Sequence, residues 1–171
     1  MVDGTLRPRF DNFYSCTFVV DGKKYYSSEN FFQCMKAVTP EDQEQVRRSG
    51  AGCACWAAGN KLKAIRHNWD AVKVDYMYQA NKQKFTQNDH LLQELIQTEG
   101  SIRFSGSTPF WCLWNGLILE RIRAEQRHTS HDQQIASRIS HFMETYRRSG
   151  TLTTELRREI LLWRKHIHPR S

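Results

Sequence analysis

Apolar positions change their spacing several times along the chain, and each change marks an element. Phe18 to Val20 and Lys24 to Tyr26 are short β-branched and aromatic runs flanking Asp21-Gly22, a dipeptide suited to a two-residue hairpin turn. Two antiparallel strands are expected there. Ser27 or Ser28 then suits a helix N-cap, because a hydroxyl satisfies an orphan backbone N–H. In the helix that follows, Glu29, Gln33 and Lys36 share one face, while Phe32 and Met35 turn toward a core. Thr39-Pro40-Glu41-Asp42 opens a second helix, expected to reach about Arg48. In SGAGCACWAAGN, residues 49 to 60, the alanines permit a short helix and the glycines argue for turns.

Asn68-Trp69-Asp70 opens what reads as the longest helix, with Val72, Met77, Ala80 and Phe85 at helical spacings and Lys73, Asn81 and Lys82 on the surface. Asn88 or Asp89 caps the next helix, whose apolar face is Leu91, Leu92, Leu95 and Ile96. Ile102 to Phe104 is expected as a short strand, followed by a loop at Gly106 to Pro109 and a packed helix over Gly116 to Arg123. Beyond Ala124, Ser130-x-x-Gln133 reads as a capping box ahead of an apolar face at Ile135, Ile139, Phe142, Met143 and Tyr146. Ser149-Gly150 breaks that helix. Thr153 or Thr154 starts another, with Leu156, Ile160, Trp163 and Ile167 along one stripe, giving a C-terminal helical hairpin.

The 171 residues suffice for one domain with a sizeable core, and a mean hydropathy of −0.68 implies a well-solvated surface. No apolar run is long enough for a transmembrane helix, MVDGTLRPRF lacks a signal-peptide core, and the five cysteines have no disulfide-scaffold spacing. An intracellular, reduced protein with no membrane partner is expected. Cys53-x-Cys55 stands alone and is too weak a signal for a metal, so neither metal nor cofactor is assigned. The histidines at 128, 131 and 141 are expected to be solvated. Of the net charge of +7, five units fall beyond Leu119, which suits an acidic partner such as nucleic acid, a nucleotide phosphate or an acidic protein, with residues 124–171 the region through which a nucleic acid or protein would dock. A basic surface with no special partner explains the same excess. Residues 1–9 read as a flexible arm, 10–123 as the domain and 124–171 as a basic amphipathic helical extension.

Glu in a first helical turn and Lys near a helix end are ordinary responses to the helix dipole. Four segments in order give the pair a second meaning. Phe10-Asp11-Asn12-Phe13, then DGKKYYSSENFFQCMKA from Asp21, then Asn68 to Lys73 with Met77, Lys84-Phe85 and Gln87-Asn88, then Phe110-Trp111 with Gly116 and Leu119 to Arg123, together resemble the NADAR (YbiA-like) family. The resemblance covers about residues 10 to 123. It implies a mostly helical α+β fold, compact and single-domain, and hydrolysis of a ribose–base N-glycosidic bond in a riboflavin-pathway intermediate or an ADP-ribose-like nucleotide. By position, Glu29 and Lys36 would be catalytic. Asn12, Phe13, Gln33, Trp69, Thr108 and Trp111 would bind substrate.

A carboxylate beside C1′ can stabilise an oxocarbenium ion, a neutral amine can attack it, and Trp faces can stack a base. The chain also departs from the family pattern. Thr108 stands where the family has aspartate, Cys112 where it has glycine, Asn60 where it has arginine, and Asn30 where it has histidine. These changes leave two readings open: a divergent N-glycosidase, or a module that binds nucleotide, nucleic acid or protein without turnover.

Overall fold

The computed structural model describes Met1 and Gly4–Pro169. Val2 and Asp3 of the expected arm, and Arg170 and Ser171 of the expected extension, lie outside the described residues. As expected, the fold is mostly helical α+β. Among the described residues there are eight α-helices and one two-stranded antiparallel sheet. The chain forms two compact units: an N-terminal unit of Pro8–Leu92, and a C-terminal unit of Met1–Arg7 with Gln93–Ser171.

In the N-terminal unit, β1 (Phe18–Val20) pairs with β2 (Lys23–Tyr25), Phe18 opposite Tyr25. Asp21 at φ 49° and Gly22 at φ 74° make the left-handed turn that suits a two-residue hairpin, and β2 begins one residue earlier than expected. α1 (Ser28–Lys36) is capped by Ser27, whose hydroxyl accepts from the Asn30 N–H at 3.0 Å. α2 (Pro40–Arg48) carries Thr39 as its cap and Pro40 at its first position, as expected. Residues 53–60 are helical after all, forming α3 (Cys53–Asn60), with the glycine expectation met only at Gly50 and Gly52. α4 (Trp69–Thr86) crosses α1. The rings of Phe18, Tyr25 and Phe31 meet at 4.9 to 6.2 Å, forming a core with Cys34, Val46 and Ala80.

Two of this unit's expectations need correction. α4 is exceeded in length by two later helices, and Asn81 is buried rather than on the surface. Asn81 stays inside because it has partners. Its Nδ2 donates to Asn12 Oδ1 at 2.9 Å, and its Oδ1 accepts from the Ser28 hydroxyl at 3.1 Å.

The division between the units falls within α5 (Asp89–Ile96). In the C-terminal unit, α6 (Pro109–Arg127) starts seven residues before the expected helix, so Phe110 and Trp111 are helical and Pro109 is its first residue rather than the end of a loop. Thr108 is the reason: its hydroxyl accepts from the Trp111 N–H at 3.3 Å, and Pro109 follows at the first helical position. α7 (Ser130–Ser149) is capped by Thr129 rather than Ser130, with Thr129 accepting from the Asp132 N–H at 3.1 Å. Gly150, at φ 68°, ends α7, and Thr153 caps α8 (Thr154–Ile167). The α7–α8 pair is the expected helical hairpin. All five predicted α7 core positions are buried, as are Leu156 and Ile160 of α8.

Ile102–Phe104 forms no strand: Arg103 exchanges backbone hydrogen bonds with Met1, but at Ile102 side chains take the place of a partner ladder. The Ile102 N–H donates to Glu120 Oε1 at 2.7 Å, and the Ile102 carbonyl accepts from Arg164 at 2.9 Å. Gly116 of α6 lets that carbonyl approach; a Cβ there would collide with it.

Candidate functional site

The site begins with the cap of α1. Ser27 fixes the start of the helix, so Glu29 falls in its first turn and Gln33 and Lys36 follow on the same face. The Glu29 N–H donates to the Asn12 carbonyl at 2.9 Å, and the Asn12 side chain is held by Asn81. Ser28 completes that chain by donating to Asn81. The loop before the hairpin and the middle of α4 therefore set the position of α1's first turn.

Glu29 is only 6% exposed, and Gln33 Nε2 donates to its Oε1 at 2.7 Å. Burial raises the Glu29 carboxyl above the ordinary carboxylate range and the charge of Asp11 adds to this, while the Gln33 hydrogen bond and the Lys36 charge oppose it. Lys36 is half-buried, and burial lowers its amine below the usual lysine range against the pull of Glu29. The acid and the amine are thus displaced toward one another on one helical face. Opposed shifts of this kind make the face a candidate for a functional site.

Gln33 is held from below by Gly59 of α3, where an added Cβ would collide with the Gln33 amide oxygen. Gly59 is the residue that lets the amide lie flat and face Glu29. Nothing in the spacing of SGAGCACWAAGN signalled this, since the close approach arises only when α3 packs on α1.

The other residues singled out by sequence divide into three groups. Asn12 is brought to α1 as described, and Phe13, 39% exposed, follows it in a turn where its N–H donates to Asp11 Oδ1 at 2.8 Å. Trp69 is buried, its ring 4.9 Å from Phe32 and stacked on Tyr76 at 5.9 Å, so its faces serve the α1–α4 packing. Thr108 and Trp111 belong to the C-terminal unit, where Thr108 caps α6 and Trp111 lies edge-on to Phe110 at 4.9 Å.

Lys84 is a group that the sequence reading left without a role. It is fully buried, donates to the Asp11 carbonyl at 2.8 Å and sits over the Tyr14 ring at 5.4 Å. Burial pulls its amine down to about 8. A signal existed: Asn81 and Lys84 share the α4 stripe of Met77, Ala80 and Phe85, so two polar residues interrupt an apolar face. Asn30, at the family's histidine position, is equally engaged, its Nδ2 donating to the Val46 carbonyl at 3.2 Å and the Arg47 carbonyl at 3.3 Å. Gln87 pairs its amide with both backbone groups of Val19 at 2.8 Å, which holds the hairpin on the end of α4. Among the described residues no group of three or more His, Cys, Asp or Glu side chains is arranged to hold a metal ion, and no helix is long and apolar enough to cross a membrane.

Comparison with known proteins bears on the family and the fold. N-glycosidase YbiA of Shigella boydii is 34% identical over 90 residues, covering 52% of this chain and 56% of the relative. N-glycosidase YbiA of Escherichia coli K12 is 33% identical with the same coverage. A riboflavin biosynthesis protein of Vibrio vulnificus is 31% identical over 88 residues, 51% of this chain and 24% of that protein. The chain thus spans about half the length of the YbiA sequences it matches. The NMR structure of E. coli YbiA superposes with a TM-score of 0.62 at 25% identity, covering 71% of this chain and 83% of that one. The NADAR domain model matches residues 5–131, and the chain belongs to the NADAR family.

Proposed function

We propose that the protein hydrolyses a ribose–base N-glycosidic bond in an ADP-ribose-like or other nucleotide substrate, with Glu29 and Lys36 as the reacting pair. The observation that carries this reading is a carboxyl 6% exposed, held by Gln33 at 2.7 Å, sharing a helical face with an amine whose charge it feels. Related proteins named N-glycosidase and riboflavin biosynthesis protein support the bond type and suggest which substrates to try.

In this mechanism the C1′–N bond breaks as positive charge builds on C1′ and the ring oxygen. Glu29, as carboxylate, stabilises that charge and accepts a proton from the attacking water; the departing base takes the electron pair of the C1′–N bond and a proton from solvent, to which Glu29 returns the one that it gained. Lys36, in its neutral form, offers a covalent variant. Its amine bonds to C1′ as the base leaves, the sugar ring opens to a Schiff base, and water then releases the amine and restores the sugar. Gln33 orients the carboxylate, and the Asn12 carbonyl holds the Glu29 backbone N–H. Phe13 supplies an exposed ring for the base.

The test is incubation with NAD, ADP-ribosylated guanine and riboflavin-pathway ribose phosphates, followed by chromatography for released base. Turnover lost in Glu29→Gln supports the reading. Borohydride trapping of an adduct, lost in Lys36→Arg, supports the covalent variant alone. A second reading, a module that binds without turnover, is favoured by Thr108: at the family's aspartate position there is a hydroxyl engaged in capping α6. Retained ADP-ribose binding by calorimetry with no base release from any of the three substrates would establish it.

A further inference from the structure

The C-terminal unit contains a cavity of about 510 Å³, lined by none of the residues of the Glu29 face. Residues 101–104 and the first turn of α6 form one side, and α8 forms the other. From α8 it takes Arg157, Leu161, Arg164 and Lys165, which recur at i, i+4, i+7 and i+8 and so make one stripe, continued by His168 at the C-cap. The adjacent stripe, Leu156 and Ile160, is buried in the hairpin. One face of α8 therefore holds the fold, and the next carries positive charge into an open groove.

The charges in this groove are of two kinds. Arg164 is committed to structure, donating to Glu120 and to the Ile102 carbonyl, and His168 lies 3.9 Å from the same carboxylate. Arg103, Arg157 and Lys165 are exposed at its rim, and the groove lining includes no acidic residue among those described. The floor is apolar: Phe104, Leu113 and Leu161, with Leu161 50% exposed. An excess of cations around an apolar, partly aromatic floor recognises a phosphate-bearing ligand with a flat ring. The volume lies in the range of small-ligand sites. Arg157, Lys165 and His168 lie beyond residues 5–131, so the groove is built partly by chain that the family domain does not include.

We propose that this groove is a second binding site, for a nucleotide unit, with Arg103, Arg157 and Lys165 contacting phosphate and Phe104 with Leu161 contacting the base. The ligand chemistry is the same whether the nucleotide is free or part of a single strand. The site is independent of the Glu29 reading and stands or falls without it.

The experiment measures binding of a fluorescein-labelled oligo(dT) 12-mer by anisotropy, and of ATP by calorimetry, on the full chain. Expected is micromolar binding of at least one probe at low salt. Three strand phosphates neutralised give a log–log salt slope of about −2. Arg157→Glu with Lys165→Glu, both exposed and both off the buried stripe, lowers affinity at least tenfold. The charge-matched control, Lys23→Glu with Lys24→Glu on the hairpin of the other unit, lowers it less than twofold. Binding of the oligonucleotide alone identifies a strand as the occupant; ATP binding that competes with the oligonucleotide identifies a free nucleotide. No binding of either probe overturns the proposal. So does equal loss in the two double variants, which would reduce the effect to net charge, and so does salt-insensitive binding.

Discussion

Two buried glutamates, one in each unit, are treated in opposite ways. Both suffer the same desolvation, which alone would raise the pKa of each. Glu120, 1% exposed, ends below the ordinary carboxylate range because the nearby His168, the Arg164 charge and the Ile102 N–H outweigh burial. Glu29, 6% exposed, ends above it because one amide hydrogen bond and a half-buried lysine do not. The compensated carboxylate fastens α8 and the 102 segment to α6. The under-compensated one has the raised pKa that a reacting carboxyl would use under the proposed function.

The largest effect should come from removing the compensated acid. Glu120→Gln leaves Arg164 partly buried without its counter-charge, and loss of a buried partner costs about 3–5 kcal/mol. Urea unfolding should show this at neutral pH. Because the folded-state pKa of Glu120 is depressed, its contribution is present above the ordinary carboxylate range and is lost as pH falls through it. The variant's deficit should therefore shrink in acid. A deficit that stays constant from neutral to acid pH would mean that the carboxylate charge is not what fastens α8.

Lys84 gives the next effect, with the opposite pH sense. Its folded-state pKa of about 8 lies below the ordinary 10.5, so stability is full above the higher value and declines as pH falls through the lower one. At about 1.4 kcal/mol per pH unit the swing approaches about 3 kcal/mol. Urea midpoints should rise between pH 8 and 10 in the wild type and stay flat in Lys84→Met. A similar rise in the variant would assign the slope to other groups.

Gly59→Ala tests the support under Gln33. The added methyl must displace an amide that is hydrogen-bonded to Glu29, and overpacking of this kind costs about 1–3 kcal/mol. Turnover should fall more than stability predicts, since Gln33 sets the carboxyl's direction. Unchanged turnover in a destabilised Gly59→Ala would separate the amide from the chemistry.

The same contrast explains what could be read from sequence. The α7–α8 hairpin was legible because its burial follows apolar period alone: Ile139, Phe142 and Tyr146 are inside, His131 and His141 outside. Asn81 was not, since an asparagine inside a helix reads as surface unless its distant partners, Asn12 and Ser28, are known. Ile102–Phe104 reads as a strand by residue type, but its backbone pairing stops at Arg103 with Met1, and at Ile102 the side chains of Glu120 and Arg164 take both backbone groups. Glu29, Gln33 and Lys36 were legible as a face from i, i+4 and i+7 spacing. That Glu29 would be buried with so little compensation depends on α3, α4 and the 10–13 loop closing over it, which no local spacing encodes.

The smallest effect on stability should accompany the largest effect on function. Glu29→Gln keeps the volume and leaves a neutral group where burial already favours the neutral form, so the unfolding free energy should change by about 1 kcal/mol or less. Since the folded-state pKa of Glu29 is raised, the wild type should lose this contribution as pH rises through that value, and the variant should not. Turnover should nonetheless fall at least about 100-fold, the usual scale for removing one stabilising group from a charged transition state. If Glu29→Gln instead destabilised the protein as much as Glu120→Gln, the two carboxyls would be doing the same structural work, and the difference between them would no longer mark a site.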